Sequence, residues 1–428
     1  MGTGRPEAAK ISRPMAEAAP KKDEKKKARS ALSRRKKWLL GLGLGLPASV
    51  LVLWILVHRV EWLGPLIANS LRAVIGPDRV AKLEDFAYGV EDKFNRWWKK
   101  DEKPKAYWEV PPDESAEPVA AIDAGPDAPP PPPPFRPKDV PPVHESWSAP
   151  GDGKWVRIVD KRRPKEPAYM FKTLLHPDKN RSWAELFVVA VDLRRVQVQA
   201  VAGYREPKSS EAEAQKYERK ATIPKEHHEE LLAAFNGGFM TEHGWYGMKV
   251  DGVTLVKPRK KACTFVHYED GSYEIATWSN IEAKEPKMKW ARQAPGCMYE
   301  RGEMHIGLKD PNNRSWGATL DGETVIRRSA VGLSEDRKVL YVGMGNSTTA
   351  AAIARGMFHA GAVDVAQLDV NWSYPKFVLF EPAEAGPERM AVALAEGFEF
   401  SENEYIRKRS YRDFFYMVRS DTGATPRN

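Results

Sequence analysis

The chain contains 428 residues, of which 42% are hydrophobic and 29% are charged, so its length allows two or three folded units. Residues 1–37 hold thirteen Lys or Arg and four Asp or Glu, and this excess of 13 − 4 = +9 equals the net charge of the whole chain, 67 − 58 = +9. Nucleic-acid binding needs basic side chains on a folded face, whereas this excess lies in one basic tail. We therefore expect no nucleic-acid partner.

An uncharged apolar segment at residues 38–57 follows the basic tail directly. As a helix it matches the thickness of a bilayer core, about 30 Å, and Trp38 and Trp54 lie near its ends, where indole rings favour the interface. The basic residues 34–37 keep the N-terminus in the cytosol under the positive-inside rule. The run exceeds the apolar core of a cleaved signal peptide, so we predict a single-pass anchor with the later residues periplasmic or otherwise extracytoplasmic.

Two regions separate this segment from the rest of the chain. Residues 58–100 carry apolar side chains at three- or four-residue spacing, which predicts one or two juxtamembrane amphipathic helices. The apolar stripe consists of Val80, Leu83, Phe86, Val90, Phe94 and Trp97. The bilayer surface, self-association and the main domain are all open as partners for this stripe. Residues 101–147 include the proline run 129–134 and are predicted to form an extended linker.

Residues 148–428 are predicted to form the folded domain, of class α+β with a mixed, largely antiparallel sheet. Asp251-Gly252, Asp270-Gly271 and Asp321-Gly322 are strong hairpin signals between alternating apolar strands. Two earlier apolar segments, 186–191 and 196–201, are predicted to pair with each other.

One later stretch predicts a β-α-β unit, with strands at 339–342 and 363–368. Ser347 or Thr348 is expected to cap the helix between them, and Gly361 to end it. The buried helix face would comprise Ala350, Ile353, Ala354, Met357 and Phe358. Asp369 then falls at the C-terminal edge of the second strand, where ligand sites of such units gather.

Three short segments stand out together: N-G-G-F at 236–239, R-S-A-V-G at 328–332 and L-D-V-N-W-S at 368–373. Their order and spacing resemble the phosphodiester glycosidase family, which has N-G-G-F after a strand, R-T/S-A-x-G, and L-D-G-G-G-S after a helix. The likeness covers about residues 184–419.

The resemblance implies hydrolysis of sugar-1-phosphodiester linkages, with Asn236, Arg328 and Asp369 as catalytic residues. The guanidinium of Arg328 matches two phosphate oxygens, and the Asp369 carboxylate would steady an oxocarbenium-like centre, attack it or position water. Seven further residues are expected to bind substrate: Gly237, Gly238, Asn371, Trp372, Ser373, Glu242 and His243. Of these, the two glycines let backbone amides approach an anion, and Glu242 and His243 are candidates for a second acid or base. No cofactor and no metal are expected.

The third segment departs from the family pattern, because Val370, Asn371 and Trp372 replace three glycines. A β-branched residue is strained at positive φ, so this loop must take another shape. Trp372 can stack on a sugar ring, or its bulk can fill the pocket. Two functions therefore stay open: a membrane-anchored hydrolase of envelope or exopolysaccharide glycans, and a catalytically inactive glycan-binding or scaffolding module of the same fold.

The two cysteines, Cys263 and Cys297, have no metal-type spacing. In an exported domain they can form a disulfide bond, and two buried free thiols are the alternative.

Overall fold

The structure is a computed structural model that describes residues 77–111, 135–209, 211–310, 316, 324–383 and 388–420, together with single residues 2, 49, 52 and 74. Contacts between Cα atoms place Asp78–Asn428 in one compact unit. Nearly all of the basic tail 1–37 and of the predicted anchor 38–57 lies outside the described residues. Among the residues that are described, no helix is both long enough and apolar enough to cross a bilayer.

Four helices and eighteen strands make up the described fold. The helices are α1 (Pro77–Trp98), α2 (Ala212–Lys216), α3 (Trp278–Ile281) and α4 (Ala350–His359). The strands are β1 (Val156–Ile158), β2 (Met170–Leu175), β3 (Glu185–Asp192), β4 (Val196–Val201), β5 (Leu231–Asn236), β6 (Met248–Val250), β7 (Val253–Val256), β8 (Cys263–Tyr268), β9 (Tyr273–Thr277), β10 (Met288–Ala294), β11 (Tyr299–Glu300), β12 (Glu303–Met304), β13 (Ile326–Leu333), β14 (Val339–Thr348), β15 (Asp364–Val370), β16 (Phe377–Pro382), β17 (Arg389–Ala393) and β18 (Phe414–Arg419).

The strands form three sheets, and all the strand pairs within them are antiparallel. Their orders are β1-β2-β3-β14-β13-β15-β11-β12, β7-β6-β10-β8-β9 and β17-β16-β5-β18-β4. One face of the eight-stranded sheet meets the two smaller sheets in a shared core that includes Phe187, Phe235 and Phe265. Helix α4 covers the opposite face, so β3 is buried along its whole length. This confirms the prediction of an α+β fold with largely antiparallel sheet.

The predicted β-α-β unit is present as β14, α4 and β15, with β13 inserted between the two outer strands. The helix cap is Thr349, whose side chain accepts a hydrogen bond from the amide of Ala352 at 3.0 Å, so the expected Ser347 or Thr348 cap is wrong by one or two residues. Strand β14 runs to Thr348 and leaves the capping position to the next residue. Phe358 is 41% exposed and stacks on Tyr299, outside the buried helix face.

Two of the three hairpin signals are confirmed and the earlier strand pair is not. β6 pairs with β7 across Asp251-Gly252, and β8 pairs with β9 across Asp270-Gly271, whereas Asp321-Gly322 lies outside the described residues. The segments predicted at 186–191 and 196–201 are the strands β3 and β4, but they belong to different sheets. The apolar pattern identified the two strands correctly, but their nearness in the sequence gave the wrong pairing.

Helix α1 is attached to the domain by a buried ion pair. The guanidinium of Arg181 binds both carboxylate oxygens of Asp92 at 2.7 Å, and the two residues are 1% and 7% exposed. The described members of the apolar stripe lie outside this contact: Val90, Phe94 and Trp97 are 51%, 55% and 67% exposed. The contact is made by another face of the helix, and Arg181 also donates to the carboxylate of Asp178 at 2.9 Å.

The predicted linker is in contact with the domain at both of its ends. Tyr107 donates a hydrogen bond to Glu185 at 2.7 Å and packs edge-on against Phe187. Phe135 packs edge-on against Phe171, so the residues before 148 contribute to the core. The proline run 129–134 lies outside the described residues. Because helix α1 and both linker ends contact one domain, the linker does not hold α1 and the domain apart.

The open question about the cysteines is resolved, because Cys263 and Cys297 form a disulfide bond across 34 positions of the chain. It joins the start of β8 to the turn after β10.

We expect Cys297→Ser to lower the free energy of unfolding by about 3 kcal/mol, because opening a loop of this length restores conformational freedom to the unfolded chain. Urea denaturation with and without reductant measures the effect. Reduction should bring wild type down to the variant and leave the variant unchanged. Equal stability of oxidised wild type and variant would contradict the expectation.

His267 lies near the C-terminal end of β8 with its ring fully buried and stacked on Tyr273 at 4.4 Å. Neither ring nitrogen has a hydrogen-bond partner among the described residues. Burial lowers the pKa of His267 from its ordinary value of 6.5 to about 4, with a smaller contribution from Lys289. The ring is therefore neutral in the folded protein at neutral pH.

The unfolded chain binds this proton at a higher pH than the folded chain, so stability is full above pH 6.5 and falls as the pH is lowered towards 4. We expect His267→Phe to remove this part of the pH dependence. Urea midpoints of wild type and variant between pH 7.5 and pH 4.5 provide the measurement. Parallel pH profiles for the two proteins would show that His267 does not titrate as described.

Candidate functional site

The first and third motif segments meet where β5 approaches β13 and β15. The amide of Asn236 donates to the hydroxyl of Ser329 at 2.8 Å, and that hydroxyl donates to the main-chain carbonyl of Asp369 at 2.9 Å. The main-chain amide of Asp369 in turn donates to the carbonyl of Gly237 at 3.2 Å. These bonds join the strand ends of two sheets. Asn236 and Ser329 are 0% exposed and Asp369 is 1% exposed.

The glycine amides of the first segment are already engaged by Asp413 of the protein itself, and one of them binds its carboxylate. Gly238 donates its amide to the Asp413 carboxylate at 2.9 Å, and Gly237 donates to the Asp413 carbonyl at 2.9 Å. A Cβ at Gly237 would lie 2.1 Å from that carboxylate, and one at Gly238 would lie 2.8 Å from the guanidinium of Arg292. The glycines are needed here for close approach, as expected, but to Asp413 and Arg292.

Arg292 neutralises Asp413 from β10. Its Nε and Nη2 donate to the two carboxylate oxygens at 2.8 Å and 3.2 Å, and Nη2 also donates to the carbonyl of Phe239 at 2.6 Å. Both charged side chains are almost completely buried. A buried ion pair of this kind persists when nearly every donor and acceptor has a partner, which is the case here.

The Asp369 carboxylate is also engaged on both oxygens. One oxygen accepts the amide of Val370 at 2.9 Å, and the other forms an ion pair with Arg412. Arg412 is 15% exposed at its side chain and lies over the ring of Tyr374, 4.3 Å from its centre. The acid predicted to act on a sugar therefore lies beneath an arginine rather than at an open surface.

Arg328 points to a different part of the interior from Asn236 and Asp369. Its guanidinium donates to the carbonyls of Thr348, Thr324 and Trp316 and to the side chain of Gln367. It is 1% exposed. Successive residues of a strand face opposite ways, so Ser329 lies beside Asn236 while Arg328 is directed away. The structure does not bring Arg328 together with the other two predicted catalytic residues.

Arg327, its neighbour, contacts the segment that replaces the family's glycines. Its Nη1 donates to the carbonyl of Trp372 at 2.7 Å, and its guanidinium lies 5.5 Å from the centre of the Trp372 ring. β15 continues through Val370, and none of the residues 370–373 has positive φ. The loop thus adopts another shape, as expected. Ser373 and Asn371 are hydrogen-bonded to each other, with the Ser373 amide donating to Asn371 at 2.9 Å.

Glu242 and His243 lie in a short 3-10 helix after the first segment, with side chains 42% and 41% exposed. Glu242 is 3.6 Å from Lys208. Neither residue shares a described contact with Asp369, so the structure does not bring them into the Asn236–Asp369 cluster.

Sequence reasoning missed the residues that complete this cluster: Arg292, Ser329, Tyr374, Arg412 and Asp413. The hydroxyl of Tyr374 donates a hydrogen bond to the main-chain carbonyl of Asp413 at 2.6 Å, which holds the main chain at Asp413 in place. The Arg412-Asp413 dipeptide directly before the last apolar strand was the available signal, because two opposite charges at the start of a buried strand need partners.

Comparison with known proteins gives low-scoring structural likenesses. No family model matches the chain, and no curated protein matches it. A solved structure of the zebrafish N-acetylglucosamine-1-phosphodiester alpha-N-acetylglucosaminidase catalytic domain, auto-inhibited by its pro-peptide, matches 59% of this chain and 82% of its own length at 14% identity and a TM-score of 0.36. A hypothetical protein from Synechocystis matches 55% of this chain and 59% of its own length at 10% identity and a TM-score of 0.32.

We expect Asp413→Asn to lower the free energy of unfolding by about 3 kcal/mol, because it leaves the buried charge of Arg292 without its counter-ion. The matched control is Asp336→Asn, whose carboxylate is 57% exposed and should contribute less than about 0.5 kcal/mol. Urea denaturation of the three proteins provides the comparison. A loss at Asp413 no larger than that of the control would show that the pair does not hold the segment.

Proposed function

We propose that the described domain is a glycan-binding module in which the Asn236–Asp369 cluster is structural and does not turn over substrate. The proposal depends on one observation: the three groups expected to bind or act on a sugar phosphate already have hydrogen-bond or ion-pair partners within the protein. The glycine amides bind Asp413, Arg328 binds main-chain carbonyls, and Asp369 binds Arg412.

A ligand phosphate that bound to the glycine amides or near Asp369 would have to displace side chains that already neutralise each other in pairs, Asp413 with Arg292 and Asp369 with Arg412. Separating Asp413 from Arg292 would leave the buried guanidinium without a counter-ion, which costs several kcal/mol before any bond to the ligand forms. The replaced glycine loop adds to this, since the Trp372 carbonyl is held by Arg327. The motif order supports descent from an ancestral glycosidase-like site, and the closed contacts support loss of turnover.

The proposed location is extracytoplasmic, with residues 38–57 as the anchor. The Cys263–Cys297 disulfide supports this location, because disulfide bonds persist in oxidising compartments and are rare in the cytosol.

A second candidate, hydrolysis of sugar-1-phosphodiesters, is favoured by one contact. Arg412 is partly exposed, stacks on Tyr374 and is paired with Asp369. If Arg412 swung outward to a substrate phosphate, it would uncover the carboxylate below it. Arg412, rather than Arg328, would then be the phosphate-binding arginine.

A turnover and binding experiment separates the two candidates. The full-length chain in detergent is incubated with an N-acetylglucosamine-1-phosphodiester, and release of N-acetylglucosamine is followed for wild type, Asp369→Asn and Arg412→Ala. The binding of a fluorescent phosphodiester-linked glycan polymer is measured on the same samples. We expect no release above the level of Asp369→Asn, and polymer binding within about twofold for wild type and Asp369→Asn, because a twofold change is well under 1 kcal/mol.

Asp270→Asn is the matched control, since Asp270 lies in the exposed turn between β8 and β9 and contacts only that turn. Release of sugar by wild type and by Asp270→Asn, lost in Asp369→Asn with its unfolding transition intact, would overturn the binding-module proposal and establish the hydrolase.

A further inference from the structure

A concave region, here named the basic cleft, lies on the surface formed by parts of residues 204–209 and 214–222 together with Arg409, with a volume of about 860 Å³. Its charged lining residues are Arg205, Lys208, Arg219, Lys220, Arg409 and Glu218. These side chains carry 5 − 1 = +4, and Lys208 is in addition paired outside the lining with Glu206 at 3.8 Å and Glu242 at 3.6 Å, so the excess charge lies mainly on the four other basic residues. Because residues 38–428 have no net charge, this is a local concentration of positive charge on a balanced surface.

Two of the guanidinium groups are held in place by the main chain. Arg219 donates to the carbonyls of Gly203 and Pro207 at 3.0 Å and 2.8 Å. Arg409 donates to the carbonyls of Arg219 and Lys220 at 2.7 Å and 3.1 Å. A guanidinium has five N–H donors, so these neutral contacts orient each group and leave its charge uncompensated by them. A preorganised cation loses little conformational freedom when it binds an anion.

An aromatic side chain lies beside these cations. Tyr204 is 40% exposed, meets Tyr411 edge-on at 5.4 Å and has the guanidinium of Arg409 5.3 Å from its ring centre. The ring is fixed between two neighbours while part of it stays accessible to solvent. An exposed, rigid ring next to charged groups suits a ligand with an apolar ring face and acidic substituents.

We propose that the basic cleft binds an acidic polysaccharide, with Arg205, Lys220 and the two fixed arginines on its phosphate or carboxylate groups and Tyr204 against a sugar ring. The inference rests on the proposed function and gives it a binding surface separate from the closed Asn236–Asp369 cluster. An acidic polymer is favoured over a single sugar phosphate because the positive charge is spread along a large, open cleft rather than focused in a small pocket.

The cleft and the closed cluster are joined through one short segment. The amides of Tyr204 and Arg205 donate to the carbonyls of Ser410 and Tyr411 at 2.9 Å and 3.2 Å. The next residue, Arg412, pairs with Asp369. The buried cluster therefore lies directly behind one wall of the cleft, while the basic side chains and the Tyr204 ring proposed to contact the glycan lie outside the cluster.

The test uses the full-length chain in detergent and fluorescence anisotropy with three labelled polymers: a sugar-1-phosphate-linked glycan, a polyuronate and neutral dextran. A single-stranded DNA oligonucleotide of equal charge is the fourth probe. We expect both acidic glycans to bind and dextran to bind at least about tenfold more weakly, with affinity falling as salt is raised from 50 mM to 500 mM. A preference between the two acidic glycans identifies phosphate or carboxylate as the recognised group.

Arg205→Glu/Lys220→Glu is expected to weaken acidic-glycan binding by at least about tenfold, and Tyr204→Ala by about threefold. The matched control is Lys287→Glu/Lys289→Glu, which changes the net charge equally at exposed positions outside the cleft and should stay within about twofold. All variants change exposed side chains, and matching unfolding transitions confirm that they fold.

Three outcomes overturn the inference in distinguishable ways. Undiminished glycan binding by the cleft variants would place the binding surface elsewhere and leave the proposed function standing. Absence of acidic-glycan binding by wild type would remove both proposals. Tighter binding of the oligonucleotide than of either glycan, lost in the cleft variants, would identify the cleft as a nucleic-acid site and sink the glycan assignment.

Discussion

The buried carboxylate of Asp413 is the contact on which the arrangement around the motif segments depends. It receives the amide of Gly238 and two bonds from Arg292, while its own main-chain carbonyl receives Gly237 and Tyr374. The turn after β5, the strand β10 and the start of β18 are therefore joined at one residue. Burying a charge is unfavourable unless it is paired and hydrogen-bonded, so these partners must be present together.

This constraint links the closed cluster to the rest of the domain. Once Asp413 is fixed, Arg412 is positioned over Asp369, and the segment before it forms a wall of the basic cleft. Polar groups that a family resemblance assigns to a substrate can equally serve as the supporting structure of a binding surface. Glycine amides bind an anion in the same way whether it belongs to a ligand or to the protein. Here the anion is the carboxylate of Asp413, so the amides serve the fold.

The sequence identified most of the elements that position the cluster, because their signals are local. The Asp-Gly turns between β6 and β7 and between β8 and β9 require positive φ, and Asp251, Gly252 and Gly271 adopt it. The periodicity of α4 predicted its buried residues Ile353, Ala354 and Met357. The order of motifs indicated that Asn236 and Asp369 meet, and they do so through Ser329.

The sequence by itself determined the α+β class, two hairpins and the β-α-β unit, because each follows from turn chemistry or side-chain periodicity. The need for an altered loop at 370–372 came from the family resemblance, in which glycines occupy these positions. The tertiary structure alone decided that Arg328 faces away from Asp369. One residue of register reverses the face of a strand side chain, and β13 carries irregularities on both sides of Arg328. It also decided that Asp413, 175 positions from Gly238, supplies the anion for the glycine amides, since no local pattern specifies a partner at that separation.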